Sequence, residues 1–228
     1  MVQPDPDQVL ELINSISRSI QIFQYHMTTA RDAMKGIIDE TKPQGSENLM
    51  LIFGVSERQD EFAYAKIVSE ANIIGCLYTA RSLWDLFGQL VNALTLVAPL
   101  TVDRCNIKSV SDLMTASPLK VKLDGLLKSH WYTYVDAFIN ITKHRQLVKQ
   151  MMAVSIEKDR AGIRIGGFAY NRYNRTKLFK TYWGHEVLEG AIEVKNTIIE
   201  CGRLLNASYV NHDTQPGPLE EAPQATHP

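Results

Sequence analysis

The hydrophobic residues of the chain recur in steps of three and four over most of its length. Such steps place side chains on one face of an α-helix, so they predict long amphipathic helices. The runs extend over residues 7–39, from Ser56 to Pro99, from Pro118 to Ile141, and over residues 187–205. Each hydrophobic face is too apolar to lie in water, and together the faces can enclose one core.

Residues at the helix boundaries agree with this division. Ser56 followed by Gln59 predicts a capping box at the start of the second helix. Ser117 followed by Pro118 predicts an N-cap and a first-turn proline for the third helix, with a kink near Ser129. Residues 100–116, between these helices, are expected to be an irregular connection.

Two segments depart from the helical period. The short apolar run 48–55, which ends beside Gly54, predicts a strand or an extended segment. Apolar residues then alternate at 152, 154 and 156 and again at 163 and 165, on either side of the polar stretch 157–162. Alternation around a polar loop predicts a β-hairpin at about residues 151–168, which the Gly166-Gly167 pair ends or bulges.

The predicted fold is all-α: an antiparallel bundle of long helices with a β-hairpin inserted before the last helix. It forms one domain over residues 1–210, and residues 211–228, with four prolines, are expected to be a disordered tail. The first residues lack a signal peptide, and no apolar run is long enough to cross a bilayer, so no membrane contact is expected. The three cysteines, Cys76, Cys105 and Cys201, are predicted to be free thiols in a cytoplasmic protein.

Charge is distributed unevenly along the chain. Residues 143–180 contain ten lysines and arginines against two carboxylates, a net charge of +8 that leaves −9 for the rest of a chain whose total is −1. This separation indicates either a polyanionic partner or an acidic face within the molecule.

Cations alternate with aromatic residues in the segment 167–183. Its basic residues are Arg172, Arg175, Lys177 and Lys180, and its aromatic residues include Tyr173. Cations for phosphates and aromatic rings for bases are what a single-stranded nucleic acid requires. The alternative is a connecting segment whose aromatic rings pack under the hairpin while the cations stay in water.

A polar stripe on the third helix is a second candidate site. Tyr132, Asp136, Asn140 and His144 follow one another at intervals of four, and His144 lies between Lys143 and Arg145. Side chains of these types could serve acid–base chemistry or phosphate binding. The alternative is that the cations merely stabilise the carboxyl end of a helix.

The stretch 138–145, "FINITKHR", late on the third helix of a long-helix bundle, resembles the HEPN (higher eukaryotes and prokaryotes nucleotide-binding) superfamily. The resemblance implies a helical bundle, frequently a homodimer, related to metal-independent ribonucleases and antitoxin-like proteins of bacterial toxin–antitoxin or defence systems. The family's active motif is an arginine, four to six residues, and a histidine. Asn140 and His144 match its asparagine and histidine, but Ile139 stands in the place of the arginine.

Arg81 on the second helix is the candidate to replace the missing arginine. It lies four residues before Asp85, which predicts a surface or partly buried ion pair. If Arg81 faces His144 across the bundle instead, Arg81, Asn140 and His144 would form the catalytic set.

Three functions therefore stay open. The leading one is binding of RNA or a nucleotide without catalysis, through Lys143, Arg145 and the cations of segment 167–183. The second is a ribonuclease that uses His144, and the third is a structural module that only oligomerises. No histidine–cysteine cluster has metal-ligand spacing, and no glycine-rich phosphate loop is present, so neither a metal nor a cofactor is expected.

Overall fold

The structure, a computed structural model, describes residues 5–172 and 175–213, and only the backbone of Arg172 and of residues 209–213. Within these residues the chain is mostly helical, with a small amount of antiparallel sheet before the last helix. The helices are α1 (Pro6–Asp32), α2 (Ser46–Phe53), α3 (Gln59–Thr95), α4 (Ile107–Leu113), α5 (Pro118–Lys128), α6 (His130–His144) and α7 (Gly184–Asp213). The strands are β1 (Gln150–Ser155), β2 (Arg160–Ile165), β3 (Phe168–Arg172), β4 (Arg175–Phe179) and β5 (Tyr182–Trp183).

Helix α3 lies at the centre of the molecule and packs against α1, α6, α7 and α4. The predicted hydrophobic face of α3 is confirmed, because its members are almost completely buried: Ile73, Leu77, Ala80, Trp84, Phe87 and Val91. The core thus forms around one long helix whose apolar period was visible in the sequence.

Helix α1 is shorter than the predicted 7–39. It ends at Asp32, and the chain then turns through Gly36, which has a φ of +73°. The predicted hydrophobic face also shifts at its start, since Leu12 is buried whereas Ile13 is 47% exposed. The predicted apolar period extended past this turn because Met34 and, partly buried, Ile37 still pack on the core.

The prediction of a strand or extended segment at 48–55 is wrong, because this run is helix α2. Gly45 is its N-cap, and Gly54 ends it in the left-handed conformation with φ +74°, which glycine adopts without strain. The buried side chain of Asn48 binds the preceding loop: it accepts from the Asp39 amide at 3.0 Å and donates to the Asp39 carbonyl at 2.8 Å. Tertiary contacts therefore select a helix for a run too short to show its period.

Ser56 does not form the predicted capping box. Its hydroxyl donates to Glu47 Oε1 at 2.7 Å and accepts from the Arg58 amide at 3.1 Å, and the helix begins only at Gln59. Ser56 thus connects α2 to the start of α3. The predicted irregular connection 100–116 is also corrected, because it contains α4, for which Asn106 is the N-cap.

The predicted hairpin at 151–168 is confirmed as β1 and β2, which pair antiparallel with Gln150 opposite Ile165. The segment that follows was not predicted to form strands. There β3 pairs with β4 in a second hairpin, and β5 joins the open edge of β2. Between the two hairpins, Gly167 lies so close to the backbone that a Cβ atom there would be 2.8 Å from the Phe179 carbonyl oxygen.

The end of the chain differs in part from its prediction. Helix α7 continues to Asp213 and so includes residues 211–213, which were expected to belong to the tail. Residues 214–228 lie outside the described residues. In the described part of the chain, no helix combines the length and the apolar character needed to cross a membrane.

Candidate binding groove

The groove begins at a break between two helices. Ser129 ends α5 and also begins α6, where its hydroxyl accepts from the Tyr132 amide at 3.2 Å. This is the position at which the sequence predicted a kink, and the structure confirms it as a complete break. The last turn of α5, with Lys128, and the first turns of α6, with Tyr132 and Thr133, therefore diverge from one residue.

The β3–β4 hairpin packs against the start of α6. Phe168 and Phe179, opposite each other on the two strands, both contact the buried ring of Tyr134, with ring centroids 5.3 and 5.4 Å away. On the same strand as Phe179, the Lys177 ammonium donates to Thr133 Oγ1 at 2.7 Å. The aromatic rings of segment 167–183 thus belong partly to the core, and its cations are held beside the break at Ser129.

A groove of about 600 Å³ lies between this hairpin and helices α3 to α6. Five cations and three carboxylates line it together with aromatic and apolar side chains. The charged members are Arg81, Lys108, Lys128, Arg175, Lys177, Asp112, Asp124 and Asp136. A volume in this range suits a small molecule or a short stretch of a chain molecule.

Arg81 forms the best-connected ion pair of the groove. Its Nε donates to Asp136 Oδ1 at 2.8 Å and its Nη1 to Asp85 Oδ1 at 2.6 Å. Burial by itself would lower the pKa of Arg81, but the neighbouring Tyr132, Asp85 and Asp136 outweigh burial and raise that pKa. The predicted pair of Arg81 with Asp85 is confirmed, and Asp136 on α6 extends it across two helices.

The other two carboxylates of the groove are also bound. Asp112 pairs with Lys108 at 2.8 Å. Asp124 accepts from the Ser111 hydroxyl at 2.7 Å and pairs with Lys120 at 3.3 Å, and these contacts, chiefly the hydrogen bond from Ser111, lower the pKa of Asp124. The carboxylates therefore have their charge compensated by the protein itself.

Three cations of the groove form no ion pair. Among the residues that the structure describes, Lys128, Arg175 and Lys177 have no carboxylate within 4.0 Å, although the charge of Lys128 helps to lower the pKa of Asp124. Tyr170 and Tyr132 also line the groove, and the Lys177 ammonium lies 5.2 Å from the ring centre of Phe179. Cations without ion-pair partners in a groove with aromatic side chains are the elements that phosphates and bases require.

The predicted basic residues do not all share one surface. Arg175 and Lys177 line the groove, whereas the Lys180 ammonium lies 5.2 Å from the ring centre of Tyr182. Lys143 is at the opposite end of α6, ten residues or about 15 Å beyond Thr133, and lies 5.6 Å from the ring centre of Tyr78. Tyr173 and the side chain of Arg172 lie outside the described residues.

The predicted catalytic set is divided in the same way. Arg81 binds Asp136, which precedes His144 by eight residues, or about 12 Å along α6. Asn140 donates from Nδ2 to the Asp136 carbonyl of its own helix at 2.7 Å. His144 and Arg145 are exposed where α6 ends. The contacts of Arg81 and Asn140 are therefore those of helix packing.

Sequence reasoning missed the residues that α4 and α5 bring to the groove, namely Lys108, Asp112, Asp124 and Lys128, whereas Tyr170 is one of the aromatic residues of the predicted segment 167–183. The spacing of Lys108 to Asp112 and of Lys120 to Asp124 at i, i+4 was a visible signal of helical ion pairs. That signal indicates a helix surface, but it does not indicate which other elements lie opposite.

Comparison with protein-family models, curated proteins and solved structures finds no match for the chain. The HEPN resemblance thus stays a prediction. In the described residues, histidine, cysteine and carboxylate side chains form no group of three that could hold a metal ion.

Proposed function

We propose that the protein binds the phosphates and bases of single-stranded RNA or of a nucleotide in this groove and does not cleave them. The observation that carries the proposal is that three cations lining one groove, Lys128, Arg175 and Lys177, form no ion pair with the residues that the structure describes. Cations without carboxylate partners repel one another, and an anionic ligand removes that repulsion.

The arrangement of the cations supports a ligand with more than one phosphate. Lys177 is fixed by its hydrogen bond to Thr133 of α6. Lys128 ends α5, five residues before Thr133 and on the other side of the break at Ser129. Arg175 stands two residues before Lys177 on β4, so both side chains leave the same face of that strand. The cations therefore come from two different elements that line the groove, α5 and β4.

The aromatic side chains support a ligand that also carries bases. Tyr170 stands opposite Lys177 in the hairpin, and both residues line the groove. A tyrosine face accepts a base by stacking, and such a contact contributes about 1–3 kcal/mol per base. A groove of about 600 Å³ is too small for a duplex and suits one or a few nucleotides.

The proposal includes the architecture that the HEPN resemblance implies, with α1, α3, α6 and α7 as an antiparallel long-helix bundle. It is supported by the packing of α3 against each of the other three helices. The absence of catalysis is supported by the separation of Arg81 from His144.

The direct test is fluorescence anisotropy with labelled single-stranded RNA and with a labelled nucleotide, repeated over a salt series. If the three cations contact phosphates, the affinity for RNA falls roughly 10- to 20-fold between about 50 and 200 mM salt. The variant Arg175→Glu, Lys177→Glu is expected to lose binding. The matched control, Lys158→Glu, Arg203→Glu, changes the net charge equally at two exposed positions outside the groove and is expected to keep it.

Thermal unfolding of both variants is measured in parallel, because Lys177 also contacts Thr133. A wild-type protein that binds neither probe at low salt contradicts the proposal. Equal loss of binding in the groove variant and in the control also contradicts it, because attraction would then come from total charge alone. Release of RNA fragments by the wild-type protein would contradict the absence of catalysis.

A further inference from the structure

An apolar stripe on the outer face of α3 is largely exposed, and only Ile74 among its members packs partly on the core. Its members follow one another in steps of three and four from Tyr64 to Tyr78, opposite the buried face of the helix: Tyr64, Ile67, Ala71, Ile74 and Tyr78. Tyr64 is 72% exposed, Ile67 65% and Tyr78 47%. A regular run of this kind is the pattern by which a helix meets a second helix.

Helix α1 widens the stripe on one side. His26 lies over Gly75, where a Cβ atom would come within 2.8 Å of its ring, and its Nδ1 is 2.9 Å from Asn72 Oδ1. One turn before His26, Ile22 is 42% exposed, and the neighbouring Tyr25 is 64% exposed. The apolar surface therefore continues from α3 onto the adjoining face of α1.

Opposite charges lie at the two ends of the stripe. Asp60 is exposed in the first turn of α3, one turn before Tyr64. At the other end, Lys143 of α6 lies over the ring of Tyr78. The middle of the stripe is Ala71, a small side chain seven residues from each tyrosine.

We propose that this surface binds a second copy of the chain, with the two α3 helices antiparallel and a two-fold axis at Ala71. The stripe is its own complement in that arrangement: Tyr64 of one copy meets Tyr78 of the other, and the small Ala71 residues allow the helices to approach closely. Each Asp60 then lies beside the partner's Lys143, so the acidic end of one stripe meets the basic end of the other. This pairing gives Lys143 a role that the groove does not.

The exposed apolar area agrees with what a stable dimer requires. A standard interface buries about 800 Å² on each partner, of which roughly 500 Å² is apolar. Aromatic side chains bury about 150–250 Å² each, so at their exposed fractions Tyr25, Tyr64 and Tyr78 offer roughly 300–450 Å². Ile22 and Ile67 bring the total to the required range.

The test measures mass in solution by sedimentation equilibrium of the full-length protein. The wild-type protein is expected at twice the 25.7 kDa of one chain, and Ile67→Asp is expected to raise the dissociation constant at least 100-fold. Leu178→Asp is the matched control, since Leu178 is 78% exposed on β4, away from the stripe, and that variant is expected to stay dimeric. A monomeric wild-type protein at about 100 μM, or a dimeric Ile67→Asp variant, overturns the proposal.

Two further experiments test the geometry even if Ile67→Asp fails to fold. Lys143→Asp is expected to weaken the dimer about tenfold, and addition of Asp60→Lys is expected to restore it, because the charges are then exchanged. Ala71→Cys is expected to form a disulfide between copies on mild oxidation, whereas Val121→Cys, also exposed but on α5, is not. Absence of both restoration and cross-linking would place the interface elsewhere and overturn the proposal.

Discussion

Trp131 of α6 occupies the space that a side chain at Gly190 of α7 would need. A Cβ atom built on Gly190 would clash with three carbons of the indole, Cδ2, Cε3 and Cε2, because it would lie closer to them than van der Waals contact allows. Trp131 also contacts the rings of Tyr134 and Tyr182, so it cannot move without disturbing the aromatic cluster beneath the β3–β4 hairpin. The absence of a side chain at Gly190 thus permits the contact of α6 with α7.

Gly190→Ala is therefore expected to lower the free energy of unfolding by about 2–3 kcal/mol, because the new methyl group overpacks the interface. The measurement is urea-induced unfolding followed by circular dichroism. Gly202→Ala is the control on the same helix, since a Cβ atom there meets nothing within 4 Å. That variant is expected to gain about 0.5–1 kcal/mol from the helix propensity of alanine.

Arg81 is expected to act on stability rather than on chemistry. Arg81→Met removes the ion pair that Arg81 makes with Asp136, whose side chain is 14% exposed, and is expected to cost about 2–3 kcal/mol. Lys35→Met breaks an exposed pair with Asp32 and is expected to cost less than about 0.5 kcal/mol. Equal effects of the two substitutions in urea unfolding would contradict this account of Arg81.

His144 gives the clearest test of catalysis. Since the side chain is exposed at the end of α6, His144→Ala is expected to change the free energy of unfolding by a few tenths to about 1 kcal/mol and to leave RNA binding unchanged. Incubation of wild type and variant with labelled RNA, followed by denaturing electrophoresis, checks cleavage. A ribonuclease that uses His144 would instead lose on the order of 10²–10⁴-fold of its activity.

The cysteines are expected to react slowly and unequally. Burial raises the pKa of Cys76 and of Cys201 to about 12, so at pH 8 both thiols stay protonated and shielded. Cys105 is partly exposed, although burial and then the charge of Asp85 raise its pKa as well. Ellman's reagent should therefore label at most one thiol of the native protein at pH 8 and three after denaturation; rapid labelling of two or more would contradict the buried placement.

Long helices with a regular apolar period were predictable from the sequence, as α3 demonstrates, because many residues contribute to the same signal. Short elements were not. Helix α2 has eight residues, and its conformation depends on Gly54 and on the bonds that Asn48 makes to a loop elsewhere in the fold. The β3–β4 hairpin was hidden for another reason, since its alternation of aromatic and basic residues resembles that of a nucleic-acid-binding segment.

At the candidate site, the sequence predicted some of the residue types but not which elements bring them together. Arg175, Lys177 and Tyr170 were identified from the cations and aromatic residues of segment 167–183, but Lys128 reaches the groove through the packing of a separate element. Arg81 is the opposite case. Its residue type suggested a catalytic partner for His144, but in the folded chain it binds Asp136. The spacing of residues along one helix does not indicate which residues face it from another.

The single residue between α5 and α6 gives the groove a site that can report on its occupation. Ser129 alone joins the two helices, and the amides of Tyr132 and Thr133 both donate to it. A ligand that bridges Lys128 and Lys177 would hold the end of α5 and the β3–β4 hairpin together on either side of this residue. The exchange of the Tyr132 and Thr133 amide protons with solvent would then slow on binding.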